Sequence, residues 1–149
     1  MSAPAPRPAP RPASRADARP APVLPDPRPR IVGTGAAARL EGVRCSACGT
    51  AFAFARPRCP ACAGPVAAAS FGPGGTVWSA TVVRIPVPGR TPPYGLAYVD
   101  LDDGPRILAH TRGSGAGAGA GAAAAPLPIG SRVALAGLTP EGDPLVETA

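Results

Sequence analysis

The sequence predicts an all-β chain in which a four-cysteine zinc ribbon is followed by a five-stranded OB-fold barrel, behind a disordered Pro/Arg-rich N-terminal tail. Three observations carry that expectation. The first thirty residues are mostly proline, alanine and arginine; every cysteine falls within CSACGTAFAFARPRCPAC (45–62); and from Gly74 onward short β-branched runs alternate with turn signals. The expected boundaries are tail 1–38, ribbon 39–70 and barrel 71–149.

The tail has almost no large apolar side chain to bury, so its chain entropy goes uncompensated, and extended polyproline-like conformers are expected. IVGTGAAARLEGVR (31–44) is a lead-in, read as a helical turn or a strand entering the cysteine block. AGPVAAASFG (63–72) reads as a connector. TVWSATVVRIPV (76–87) is the first barrel strand, rich in β-branched residues and closed by Pro86 and Pro88. YGLAYVDL (94–101) and PRILAHT (105–111) flank Asp102-Asp103-Gly104, a hairpin turn signal. SRVALAGL (131–138) and DPLVE (143–147) flank Thr139-Pro140-Glu141-Gly142. Five short strands over this length suit a small Greek-key barrel of the OB type. GSGAGAGAGAAAA, within 113–125, is expected to be a flexible low-complexity loop between the third and fourth strands.

Composition narrows the chemistry. All 15 basic residues are arginine, so neither a Schiff-base lysine nor a phosphate-loop lysine exists. His110 is the one histidine, and no cysteine or serine near it in sequence makes a triad. The formal charge of +6 divides into +7 on residues 1–70 and −1 on residues 71–149, which carry one more carboxylate than arginine. A nucleic-acid binder concentrates cations on its folded surface, so nucleic acid is disfavoured as a partner. No run is long and apolar enough for a membrane span, and the N-terminus lacks a secretory hydrophobic core. Cytoplasmic residence is the resulting expectation, and paired cysteines kept reduced there favour metal over disulfide.

Two CxxC knuckles separated by ten residues supply four soft ligands, Cys45, Cys48, Cys59 and Cys62, to one tetrahedral zinc. Thioredoxin-type redox chemistry uses one such pair, not two. With four protein sulfurs the coordination shell is closed, so the expected Zn2+ is structural, one per chain, with iron the alternative that four thiolates also accept. Gly49 follows the first knuckle; the second has Ala63 in that place, with Gly64 one position later. Phe52 and Phe54 alternate along the ribbon and form a candidate partner interface or a packing surface against the barrel. Asp100, Asp102 and Asp103 read as turn chemistry rather than a carboxylate site.

The series Arg44-Cys45-x-x-Cys48-Gly49, Phe52 and Phe54, Pro57-Arg58-Cys59-Pro60-x-Cys62, Gly75-Thr76-Val77-Trp78-Ser79-Ala80-Thr81-Val82-Val83, Pro93-Tyr94-Gly95-Leu96-Ala97-Tyr98-Val99-Asp100-Leu101-Asp102-Asp103-Gly104-Pro105-Arg106-Ile107-Leu108-Ala109 and Ile129-Gly130-Ser131-Arg132-Val133 resembles a known family. It is similar to the rubredoxin-like zinc-ribbon/OB-fold proteins, formerly a domain of unknown function, that partner thiolase-like and other acyl-CoA enzymes. The resemblance covers about residues 40–147. Two features depart from it: IVGTGAAARL stands where many members carry a helical segment, and the Gly/Ala run at 113–125 replaces an ordinary connection. The resemblance implies a non-catalytic accessory subunit that bridges a thiolase-like, hydratase or aldolase partner and helps bind CoA or acyl-CoA. On that reading Arg84, Arg90, Arg106, Arg112 and Arg132 are candidates to meet CoA phosphates. No nucleophile–base pair argues for an enzyme in its own right. The alternative is a zinc-ribbon/OB nucleic-acid-binding protein, which would want a basic, aromatic barrel face.

Overall fold

The computed structural model describes residues 26, 28–112 and 125–149. The expected tail over 1–25 and most of the Gly/Ala loop lie outside the described residues. The first described strand lies ahead of the expected ribbon boundary. Strand β1 (Arg30–Val32) pairs with β2 (Arg39–Cys45) in antiparallel register, and a 3-10 turn at Gly35–Ala37 joins them. The physical reason is burial: Ile31, Ala38 and Leu40 enter the core.

The ribbon sheet has β2 at its centre. The short β3 (Ala51–Phe52) pairs with β2 at Val43↔Phe52, and β4 (Val66–Phe71) runs along the whole of β2 on its other edge. The expected connector over 63–72 is therefore largely a strand. Its alanines carry no β-branched signal, and its pairing with β2 rather than its own propensity sets its conformation.

The barrel forms as expected, with shifted ends: β5 (Gly74–Val83), β6 (Tyr94–Leu101), β7 (Arg106–Thr111), β8 (Arg132–Leu138) and β9 (Pro144–Thr148). They close in the order β5-β6-β7-β9-β8, antiparallel except for a short parallel contact of β7 with β9. Strand alternation puts Val77, Ala97, Val99, Leu101, Ile107, Ala109, Val133, Leu135 and Val146 inside. β5 carries a bulge: Val77 faces Val99 and Ser79 faces Tyr98, so Trp78 is an extra residue with no partner of its own.

Ribbon and barrel share one core. Phe71, at the end of β4, is 1% exposed and belongs to the same apolar cluster as Leu40, Leu101 and Leu135. The β6–β7 turn closes over it, since a Cβ on Gly104 would lie 2.7 Å from that of Phe71. Polar ties reinforce the junction. Arg44 of the ribbon donates to the Asp103 carbonyl, and the Gly72 amide donates to the Asp103 carboxylate at 3.1 Å. At the other flank, the lead-in turn lies against β8. Among the described residues no helix is long and apolar enough to cross a membrane.

Candidate metal centre

The two knuckles are built alike. In the first, the amide of Cys45 donates to the Thr50 carbonyl and the amide of Gly49 to the Cys45 carbonyl; in the second, Cys59 donates to Gly64 and Ala63 to Cys59. These closed turns aim each cysteine pair at one point. The last residue of each turn must adopt a left-handed backbone, and Gly49 does so at φ 76°. Ala63 takes the same conformation at φ 58°, although its Cβ is disfavoured there. Gly64 is therefore not a displaced knuckle glycine. A Cβ on it would come 2.9 Å from that of Ala47 and 3.2 Å from the Cys62 sulfur, so it is glycine to let the two knuckles approach.

The four sulfurs lie within 4.8 Å of one another, with Cys45 and Cys62 at 3.5 Å and Cys48 and Cys59 at 3.7 Å. A metal–thiolate bond of about 2.3 Å sets the edges of a tetrahedron at about 3.8 Å, so this spacing fits one tetrahedral ion. It is too long for disulfides, whose sulfurs sit about 2.05 Å apart, and all four cysteines are free. Cys45 and Cys59 are buried, and Cys48 and Cys62 face solvent. Backbone and hydroxyl donors surround the sulfurs. The Cys48 amide donates to the Cys45 sulfur, and it is the first reason that thiol titrates below its usual range. The Thr50 hydroxyl, 3.2 Å from the Cys48 sulfur, is the main cause that lowers Cys48 to about 6. Cys62 is pushed up to about 12: the Gly64 amide lowers it, but proton sharing with Cys45 and Cys48 outweighs that. Four adjacent thiols cannot all ionise unaided, and a divalent cation at their centre supplies the missing counter-charge. Thr50 and Gly64 are the site residues that CxxC spacing alone does not point to. The one hint in the sequence is a hydroxyl directly after the knuckle glycine.

The other candidates fall apart spatially. Phe52 is half-buried in β3 beneath the Arg56 guanidinium, 5.3 Å from the ring centroid, whereas Phe54 is exposed at the ribbon–barrel groove. Asp100 pairs with Arg106 at 2.7 Å and Asp102 with Arg132 at 2.5 Å, and the hydrogen bond from each arginine holds its carboxylate below the ordinary range. Asp103 ties ribbon to barrel, so the three acids form no common site. Arg90 pairs with Asp143 and Glu141, and Arg112 with Glu147. Of the arginines considered for phosphate, four thus have carboxylate partners inside the chain. His110 stacks on Tyr94 with ring centroids 5.4 Å apart and lies 3.9 Å from Asp143. Burial, and then Arg90, push its pKa down, which fits a packed neutral imidazole.

The family model described as ChsH2, C-terminal OB-fold domain, matches residues 69–137. No curated protein matches the chain by sequence. Among solved structures, a chain of an Ltp2-ChsH2(DUF35) aldolase is similar at 30% identity with a TM-score of 0.58, over 74% of this chain and 84% of that one. A four-cysteine ribbon, a closed OB barrel in series with it, and a likeness that spans both lead to one assignment: the chain belongs to the ChsH2 (DUF35) family.

Proposed function

We propose that this protein is a non-catalytic accessory subunit of an acyl-CoA-processing complex, bound to a thiolase-like enzyme that carries the chemistry, and that its ribbon holds one structural zinc. The observation that carries this reading is the likeness to a chain of the Ltp2-ChsH2(DUF35) aldolase, which covers 74% of this chain at 30% identity. The arrangement of this chain's own groups supports it. The thiol cluster offers four protein sulfurs and leaves a tetrahedral ion no open position, so the metal would hold the ribbon in shape rather than activate water. Asp100, Asp102, Asp103 and His110 have structural partners instead of facing one another across a cleft. Zinc suits four thiolates in a closed shell and needs no redox change. The chain would bridge enzyme subunits and help enclose the CoA moiety, with the reaction and the reacting groups supplied by the enzyme. Cytoplasmic residence goes with this role.

The test is co-expression of this chain with each thiolase-fold acyl-CoA enzyme of its source genome, followed by size exclusion, elemental analysis and assay. A stoichiometric complex with about one zinc per copy of this chain is expected, with lyase or thiolase activity in the complex and none in this subunit alone. Activity in the isolated subunit, or failure of the two proteins to associate, would overturn the reading.

A further inference from the structure

The outward face of β5, β6 and β7 is unlike the exterior of an ordinary small barrel. Strand register sets Tyr98 opposite Leu108 on β7 and beside the bulged pair Trp78–Ser79 on β5. Trp78, Tyr98 and Leu108 thus make one row across three strands, at 51%, 44% and 44% exposure. The bulge creates this row: two residues of β5 sit opposite one of β6, and the extra one is a tryptophan held outward. Trp78 packs edge-on against Tyr98, with centroids 6.2 Å apart at 80°. Phe54, 41% exposed, extends the surface from the ribbon side. A groove of about 350 Å³ lies beside the row, walled mainly by apolar side chains such as Phe54, Tyr98 and Leu108, while Arg28 and His110 at one end lie 4.0 and 3.9 Å from Asp143, which offsets the guanidinium charge.

We infer that this aromatic face is the docking surface for the enzyme subunit, and that the enzyme meets it with an apolar, uncharged patch whose projecting side chain fills the groove. The inference rests on the accessory-subunit reading above and adds to it the surface and the chemistry of contact. Charge decides among the possible occupants. The Arg106 guanidinium lies 3.9 Å from the centroid of Trp78, yet its nitrogens are held by the Asp100 carboxylate at 2.7 and 2.9 Å. Arg132, on the neighbouring β8, is held in the same way by Asp102 at 2.5 Å. A polyanion gains affinity by trading its counterions for protein cations, and the cations here already have partners. A folded protein has no such need. The cores of protein interfaces are depleted in charge and enriched in aromatics and arginine, and binding energy concentrates in tryptophan, tyrosine and arginine anchors. Trp78, Tyr98 and the self-neutralised Arg106 fit that description, with the ion pair at the rim.

The experiment measures binding of purified full-length chain to the purified thiolase-fold enzyme with which it co-expresses, by calorimetry or interferometry. Trp78→Ser, Tyr98→Ser and Leu108→Ser are compared with Ile85→Ser, an exposed apolar residue in the β5–β6 loop outside the row. Each row variant is checked for wild-type thermal midpoint and metal content, which a solvent-facing substitution should preserve. We expect a loss of roughly 30-fold or more for Trp78→Ser and Tyr98→Ser, and little change for Ile85→Ser. If wild type binds and the row variants bind equally well, or if Ile85→Ser loses as much, the docking surface is wrong while the accessory role stands. If wild type does not bind, the accessory role fails and this inference with it. Two further outcomes overturn it: a wild-type homodimer that Trp78→Ser makes monomeric, or single-stranded DNA binding at physiological salt that Trp78→Ser abolishes.

Discussion

Gly49 and Ala63 occupy the same place in two equivalent turns and differ by one methyl group. Both backbones are left-handed, a conformation that costs an L-residue about 1 kcal/mol or more, whereas glycine adopts it freely at some expense in unfolded-chain entropy. Ala63→Gly should therefore stabilise the second knuckle by about 0.5 kcal/mol. Gly49→Ala should destabilise the first by about 1 kcal/mol, purely through conformation, since a Cβ there meets nothing within 4 Å. Thermal denaturation and competition for the metal with a chromogenic chelator read both effects; matching shifts of the same sign would contradict the account. At this scale the cysteines announce themselves in the sequence, because ligand type and spacing are local. Thr50 and Gly64 do not. Thr50 acts within the first knuckle, on Cys48 two residues before it, whereas the role of Gly64, admitting Ala47, exists only once the second knuckle has folded against the first.

Elements differ in legibility for a physical reason. β5, β6 and β8 declare themselves through alternating large apolar residues, whereas β4 hides behind three alanines and is a strand because β2 lies beside it. β1 is equally quiet, being three residues at the end of a proline-rich stretch. The barrel count could be read from turn signals, but the parallel contact at His110↔Leu145 and Thr111↔Val146 depends on closure and has no local signature. Phe71 is the element-scale test. It ends β4, sits in the core shared by ribbon and barrel, and is covered by the β6–β7 turn. Phe71→Ala should cost about 3–5 kcal/mol, the range for truncating a buried phenyl ring. Chemical denaturation followed by both far-UV dichroism and Trp78 fluorescence should give coincident, earlier transitions. If the fluorescence midpoint alone stayed at the wild-type value, the two parts would not share a core.

For the whole molecule, the cluster that joins Leu40 and Phe71 to Leu101 and Leu135 makes ribbon and barrel one cooperative unit. Binding of an ion to the folded form alone stabilises it by mass action, so chelation should lower the midpoint of the entire chain. The expected record in excess EDTA is one transition displaced downward, restored by added zinc. Two separated transitions, with the barrel's unmoved, would mean that the ribbon unfolds alone. Charge at this scale was legible from composition: the barrel carries a slight negative excess, and the structure shows how, with Arg90, Arg106, Arg112 and Arg132 each set against a carboxylate.

The lead-in turn described against β8 has a consequence in time. The methyl of Thr34 faces the backbone of Gly137, so a Cβ on that glycine would sit 3.4 Å from it. About a hundred residues separate the two in the order in which a ribosome delivers them, and chains fold as they emerge, from the N-terminal end. The thiol knot is fully outside the tunnel while β8 and β9 are still unmade. Ion capture is thus available early in the life of each copy, and the N-terminal strap is fastened only when synthesis is nearly over. A nascent chain arrested before β8 would present its four thiols while the turn at Thr34 still lacked Gly137 to lie against.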